Sequence, residues 1–220
     1  MNDARQNILE RIRKANQLMP QADSFEAVRA RIARHARGPQ PQWQQDTMTR
    51  FLQKVELSAA SYERVKTHKE ITDAVIRYME SHSLNGKLVC AGTELLSRIQ
   101  WPEKLSVEAR AATTDDKVVL TEAFAGIAET GSIVMCSGKE SPVSLNFLPD
   151  FFISVIHLDT VVDRMEDVWE KLREQGAGMP RAINVITGPS RTADVEQIIQ
   201  MGAHGPRQVH LLLLEYNNRS

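Results

Sequence analysis

Three short segments hold residues that could do chemistry together. The first is Ala128-Glu129-Thr130-Gly131-Ser132, directly ahead of the apolar run Ile133-Val134-Met135. A Glu-Thr-Gly turn entering a strand exposes a carboxylate, a hydroxyl and a backbone that a ligand can approach closely. The same residues also suit a turn that only bonds local amides. The second segment, Gly188-Pro189-Ser190-Arg191-Thr192-Ala193-Asp194, stands between a predicted strand and a predicted helix. Ser190 or Thr192 can cap that helix, and Asp194 and Glu196 suit its positive end. Arg191 is the exception, a cation at the wrong end of the helix dipole. Strand–loop–helix junctions of open α/β sheets bind anions, and there Arg191 would hold a carboxylate or phosphate bidentately.

The third segment is Gly202-Ala203-His204-Gly205-Pro206-Arg207. Gly202 suits a helix C-cap, and small residues around His204 and a proline before Arg207 fix the backbone and leave both side chains accessible. Histidine is the side chain most readily poised for proton transfer near neutral pH. A plain surface histidine has the same appearance in a sequence.

Other chemistries lack their signatures. The chain has no Gly-x-Ser-x-Gly elbow, Walker loop, His-Glu-x-x-His or Gly-x-Gly-x-x-Gly. Its histidines (35, 68, 82, 157, 204 and 210) show no metal-ligand spacing, so no metal site is expected. Cys90 and Cys136 stand alone and cannot supply four thiolates, so no iron–sulfur cluster is expected on this chain. Cys136, at an apolar strand end, reads as a buried small hydrophobe. Two lone cysteines point to a reducing, cytoplasmic compartment.

The elements that must position these segments follow from pattern. The 220 residues suit one domain with an appendage, 42% apolar and 25% charged, with a formal net charge of −1. That charge gives no pull toward nucleic acid or an anionic membrane. No apolar run reaches the roughly 18 residues of a span, and residues 1–20 carry no signal-peptide core. Ile8, Leu9, Ile12 and Ala15 fall at helical spacing, and Phe25, Val28 and Ile32 continue the style with arginines between them. Gly38-Pro39-Gln40-Pro41-Gln42 is a breaker cluster, so residues 1–45 read as a helical arm and linker and 46–220 as the main domain. Residues 46–82 pattern as helix.

From residue 86 the period changes. Strands are predicted at Lys87–Ala91, Leu105–Ala109, Val118–Leu120, Ser132–Cys136, Phe151–His157, Ala182–Thr187 and Val209–Leu214. Helices are predicted at Glu94–Ile99, Met165–Gln175 and Ala193–Gln200. This alternation implies an α/β fold with a mainly parallel sheet layered with helices. The unbroken apolar strand Val209–Leu214 suits a central position buried on both faces.

Taken together, Ile127-Ala128-Glu129-Thr130-Gly131-Ser132-Ile133-Val134, Gly188-Pro189-Ser190-Arg191-Thr192-Ala193-Asp194-Val195-Glu196 and Gly202-Ala203-His204-Gly205-Pro206-Arg207 resemble the LUD-domain family. The likeness spans roughly residues 85–216, and the helix around Ile8-Leu9-Glu10-Arg11 is in keeping with it. Ala203 and Ser132 stand where Val and Thr are more usual. The resemblance implies a fold like the NagB/RpiA/CoA-transferase superfamily. It also implies a role in oxidising L-lactate to pyruvate beside lactate utilization proteins A and B, which resemble iron–sulfur proteins.

Three functional readings follow. In the first, the chain is a non-redox subunit of a lactate-oxidising system with a small-anion site. Arg191 and Arg207 clamp a carboxylate there, Thr130, Gly131, Ser190 and Thr192 line the site, and Glu129, Asp194 and His204 are its polar groups, with His204 the proton acceptor. The redox cofactor then belongs to a partner. In the second, the chain is a stand-alone enzyme of CoA-transferase or sugar-phosphate-isomerase type, with Glu129 as nucleophile. In the third, it is a non-catalytic assembly subunit that docks through residues 1–45.

Overall fold

The apolar runs of the second half do become strands, close to where their composition places them. In chain order the elements are α1 (Asn2–Leu18), α2 (Phe25–Ala33), α3 (Thr47–Leu57), β1 (Ser61–Val65), α4 (His68–Ser81), β2 (Lys87–Cys90), α5 (Glu94–Ser97) and β3 (Ser106–Ala109). Then come β4 (Val118–Glu122), β5 (Ala125–Ile127), β6 (Ser132–Cys136), α6 (Ser144–Phe147), β7 (Phe151–His157) and a single 3₁₀ turn, Leu158–Thr160. The chain ends in β8 (Val161–Val162), α7 (Met165–Glu174), β9 (Ile183–Ile186), β10 (Arg191–Thr192), β11 (Gln200–Met201) and β12 (Gln208–Leu214). This computed structural model describes residues 2–18, 25–84, 86–176, 178–192, 200–202 and 204–215. Two units are distinct, residues 1–42 and 43–220. The first contains α1 and α2, whose Ile8, Ile12, Phe25 and Ile32 are exposed.

The second unit is α/β. Its larger sheet has strand order β1-β12-β7-β4-β2-β3, and every pairing in it is parallel. β12 lies inside the sheet and is buried from Val209 to Leu214, as its uninterrupted apolar run demands. A smaller sheet of order β8-β5-β6-β9 is mixed, with β5–β6 and β6–β9 antiparallel.

Register fixes the layers. Tyr78 of α4 stacks on His210, with ring centroids 4.6 Å apart. His210 pairs with Ile153, so α4 covers the face that carries Ile153, Val155 and His157. A Cβ at Gly126 would lie 2.8 Å from Ile156 and 3.1 Å from Phe51, so α3 and the smaller sheet cover the opposite face. Alternation along β6 confirms the stacking. Ile133 and Met135 join the main core, while Val134 joins Ala125, Ile127, Val168 and Leu172 under α7.

Three expectations change. The helical patterning of residues 46–82 is interrupted by β1, an edge strand whose Ser-Tyr-Glu-Arg-Val sequence buries only Val65 and so shows no apolar run. The helix expected over Glu94–Ile99 stops at Ser97. Of the helix expected over Ala193–Gln200, residues 193–199 lie outside the described residues and Gln200 is in β11.

Candidate functional site

The element that organises the signature segments is α3. Asp46 caps it, its side chain accepting from the Thr49 amide at 2.9 Å, and Phe51 and Val55 bury its apolar face completely. At its other end the Ser58 amide donates to the Lys54 carbonyl at 3.0 Å, and the Ser58 hydroxyl donates to the Val55 carbonyl at 2.7 Å. Two signature glycines lie against this last turn. Gly131 has φ +70°, and a Cβ there would come within 2.5 Å of the Lys54 carbonyl carbon. Gly188 has φ +65°, and a Cβ there would lie 2.2 Å from the Ser58 carbonyl oxygen. Only glycine satisfies both the left-handed backbone and the contact.

Arg191 now has a structural partner. Its Nη2 donates to the Ser58 carbonyl at 3.2 Å, placing a cation at the negative end of α3. The charge that looked misplaced beside its own predicted helix is well placed beside another. The preceding strand, β9, belongs to the mixed sheet, so this loop does not leave the parallel sheet.

The second and third segments are joined through Ser190. Its amide donates to the Pro206 carbonyl at 2.8 Å, its carbonyl accepts from the Gly202 amide at 2.9 Å, and its hydroxyl accepts from the His204 amide at 3.4 Å. β10 and β11 pair antiparallel, Arg191 with Met201 and Thr192 with Gln200. The aliphatic part of Arg207 lies across Gly202, where a Cβ would meet its Cγ at 2.1 Å. The Arg207 amide donates to the Asp150 carbonyl at 2.8 Å, one residue before β12 begins. Arg191, His204 and Arg207 are exposed, and the loops lie at the edge where β12 starts. Asp194 lies outside the described residues.

The first segment reaches Thr187, the residue before the second, through hydroxyls. Thr130 Oγ1 and Ser132 Oγ are 2.6 Å apart, and Ser132 Oγ and Thr187 Oγ1 are also 2.6 Å apart. Ser132 is buried, whereas Thr130 and Thr187 are exposed. The backbone of the half-buried Glu129 is tied elsewhere, its amide donating to the Asp163 carbonyl at 3.0 Å.

Two polar groupings were not legible from spacing. At the start of α3, Thr47 and Arg50 both donate to Asp163 Oδ1, and Arg50 also donates to the Gln45 carbonyl at 3.0 Å. These bonds, Thr47 first and Arg50 next, hold the Asp163 carboxyl below the usual carboxylate range against the opposing effect of burial. Arg50 is only 4% exposed and stacks on Trp43, 4.2 Å from the ring centroid, while Arg164 lies 4.7 Å from it. The second grouping is His157 Nε2 with Glu122 Oε1 at 3.3 Å, on the final residues of β7 and β4. A polar residue closing an otherwise apolar strand was the available signal for both. Among the described residues, no group of three or more His, Cys, Asp or Glu is placed to hold a metal. No helix among them is long and apolar enough to cross a membrane.

Comparison with known proteins bears on this arrangement. The LUD domain family matches residues 2–214. "Uncharacterized protein YkgG" of Escherichia coli K12 is 32% identical over 144 residues, covering 58% of this chain and 62% of that protein. Lactate utilization protein C of Halalkalibacterium halodurans is 36% identical over 92 residues, 40% of each chain. Its namesake in Bacillus subtilis is 34% identical over 91 residues, 40% of this chain and 38% of that one. The matched stretches thus span less than two thirds of these relatives. A crystal structure of a DUF162 family protein from Deinococcus radiodurans superposes with a TM-score of 0.56 at 20% identity, over 80% of this chain and all of that one, and so shares the fold.

Proposed function

The chain belongs to the LUD domain family, and from that we propose that it is a component of a system oxidising L-lactate to pyruvate, with a small-anion site among its signature loops. Relatives named lactate utilization protein C support the pathway. The observation that carries the site is that the first two segments, more than fifty residues apart, meet on the last turn of α3 while the third is tied to the second through Ser190. In this reading Arg191, steadied by Ser58, keeps further N–H donors for a carboxylate, and Arg207 supplies a second cation. Thr130, Gly131, Ser190 and Thr192 line the site. His204 accepts a proton, with Glu129 and Asp194 as polar neighbours.

The two electrons leave through iron–sulfur partners, lactate utilization proteins A and B, because this chain carries only two cysteines. The protein then works in the cytoplasm as a subunit whose task is positioning.

Calorimetric titration of the purified protein with L-lactate and with pyruvate tests the site. Arg191→Ala and Arg207→Ala are each expected to weaken binding by about tenfold or more, the range for a lost charge-assisted hydrogen bond. Wild-type affinity in both variants would remove the anion clamp.

A further inference from the structure

We propose a second small-ligand site, separate from the signature loops, in which Glu122 accepts a hydrogen bond from an alcohol hydroxyl and His157 positions it. The chain runs outward from β2 to β3, then returns past β2 to β4 and continues through β7 to β12. Strand order therefore reverses between β2 and β4. In open parallel sheets the crevice outside the C-terminal strand ends at such a reversal is where ligands bind.

Glu122 is the last residue of β4 and flanks this crevice, with His157 at the end of the next strand. Glu122 pairs in register with Val155, which places both side chains on the α4 face. Gly92, two residues beyond β2, is on the other flank. Its amide donates to the Glu140 carbonyl at 2.7 Å, which ties the 138–141 loop beside the crevice.

The chemistry of the pair selects a donor ligand. The side chains of His157 and Glu122 are 16% and 22% exposed, so they are shielded but reachable. Among the described residues no Lys or Arg pairs with Glu122, and only His157 Nε2 meets it. His157 Nε2 lies 3.3 Å from Glu122 Oε1 without hydrogen-bond geometry, and Nδ1 is buried with no hydrogen-bond partner. That contact leaves Oε1 without a hydrogen bond from the described residues. Oε2 makes no hydrogen bond to the described residues. A carboxylate with acceptor capacity open toward the strand-end crevice is complementary to an O–H donor. It repels the carboxylate of an acid that lacks one.

The test follows the His157 ring by NMR in the full chain during titration with L-lactate, glycolate, glycerol and D-ribose, and with propionate as the hydroxyl-free control. At least one hydroxyl compound is expected to shift the His157 signals, with propionate at least about tenfold weaker. Glu122→Gln should abolish the response. His157→Gln, which keeps a polar N–H beside Glu122, should retain the ligand's affinity, whereas His157→Leu should lose it, each variant being checked for a native-like melting transition. If none of the four hydroxyl compounds moves the His157 signals, the proposal is overturned. Arg207→Ala separates the two sites. A His157 response that survives it supports the strand-end site even if the anion clamp fails. Lactate binding lost in Arg207→Ala with silent His157 signals leaves the clamp standing and sinks this site.

Discussion

At the scale of single residues, two positions concentrate the energetics. Gly131 meets the backbone of α3 while holding φ +70°, so Gly131→Ala combines backbone strain with a clash that α3 cannot relieve by side-chain rotation. The expected loss is about 3 kcal/mol, read as a lowered urea midpoint at unchanged slope. His210 is the other. Burial, with a smaller contribution from the charge of His82, pushes its pKa down to about 4. Nδ1 meets the Ser61 hydroxyl at 2.8 Å, and Nε2 is buried with no partner. In the unfolded chain the ring titrates near its ordinary value, about 6.5. Below that pH the unfolded state binds the extra proton and the folded state does not. Stability therefore falls as pH drops from about 6.5 toward 4, by up to roughly 1.4 kcal/mol per pH unit. Denaturant titrations across that window should show the slope in the native sequence and a flatter profile in His210→Gln.

At the scale of elements, α3 is held at its start by a buried cation. Asp163→Ala would leave Arg50 without its carboxylate partner, though Asp163 is 41% exposed and water tempers the loss. The expected destabilisation is about 1–2 kcal/mol, and thermal melts of Asp163→Ala beside Asp163→Asn would measure it. Which elements the sequence could reveal depended on how much of each is buried. β7 and β12 are apolar along nearly their whole length and are visible as runs. β1 exposes or half-exposes four of its five residues, so its neighbours' helical period swallowed it. β5 and β8 are too short to show a period. β9 was visible as a strand, but composition does not say to which of two sheets a strand belongs. For that reason the loop after it was expected to leave the parallel sheet. Gly131 was legible as a close approach for a ligand and Gly202 as a helix C-cap, whereas the surface that Gly131 and Gly188 approach, α3, lies more than seventy residues before the first of them.

At the scale of the molecule, the chain falls into two units with different surfaces. The first carries exposed Ile8, Ile12, Phe25 and Ile32 on short helices. The second closes its own core in successive layers: α4, the parallel sheet, α3 with the mixed sheet, and α7. A chain that starts at Trp43 keeps the Arg50–Trp43–Arg164 stack and every strand. It is expected to fold alone with one cooperative unfolding transition, checked by calorimetry. A broad, non-cooperative melt would show that residues 1–42 are needed to complete the fold.

α3 runs from Asp163, beyond the C-terminal end of β7, to Ser58, just before β1 begins, a rise of about 16 Å for its 11 residues. A helix of that length is a stiff strut between the C-terminal and N-terminal ends of the strands. An anion that drew Arg191 away from Ser58 would free the Ser58 carbonyl at one end of the strut, and any change passed to its far end would reach Asp163 through Thr47 and Arg50. Binding free energies coupled in this way are reciprocal: a ligand that stabilises one end must tighten or loosen binding at the other by the same factor.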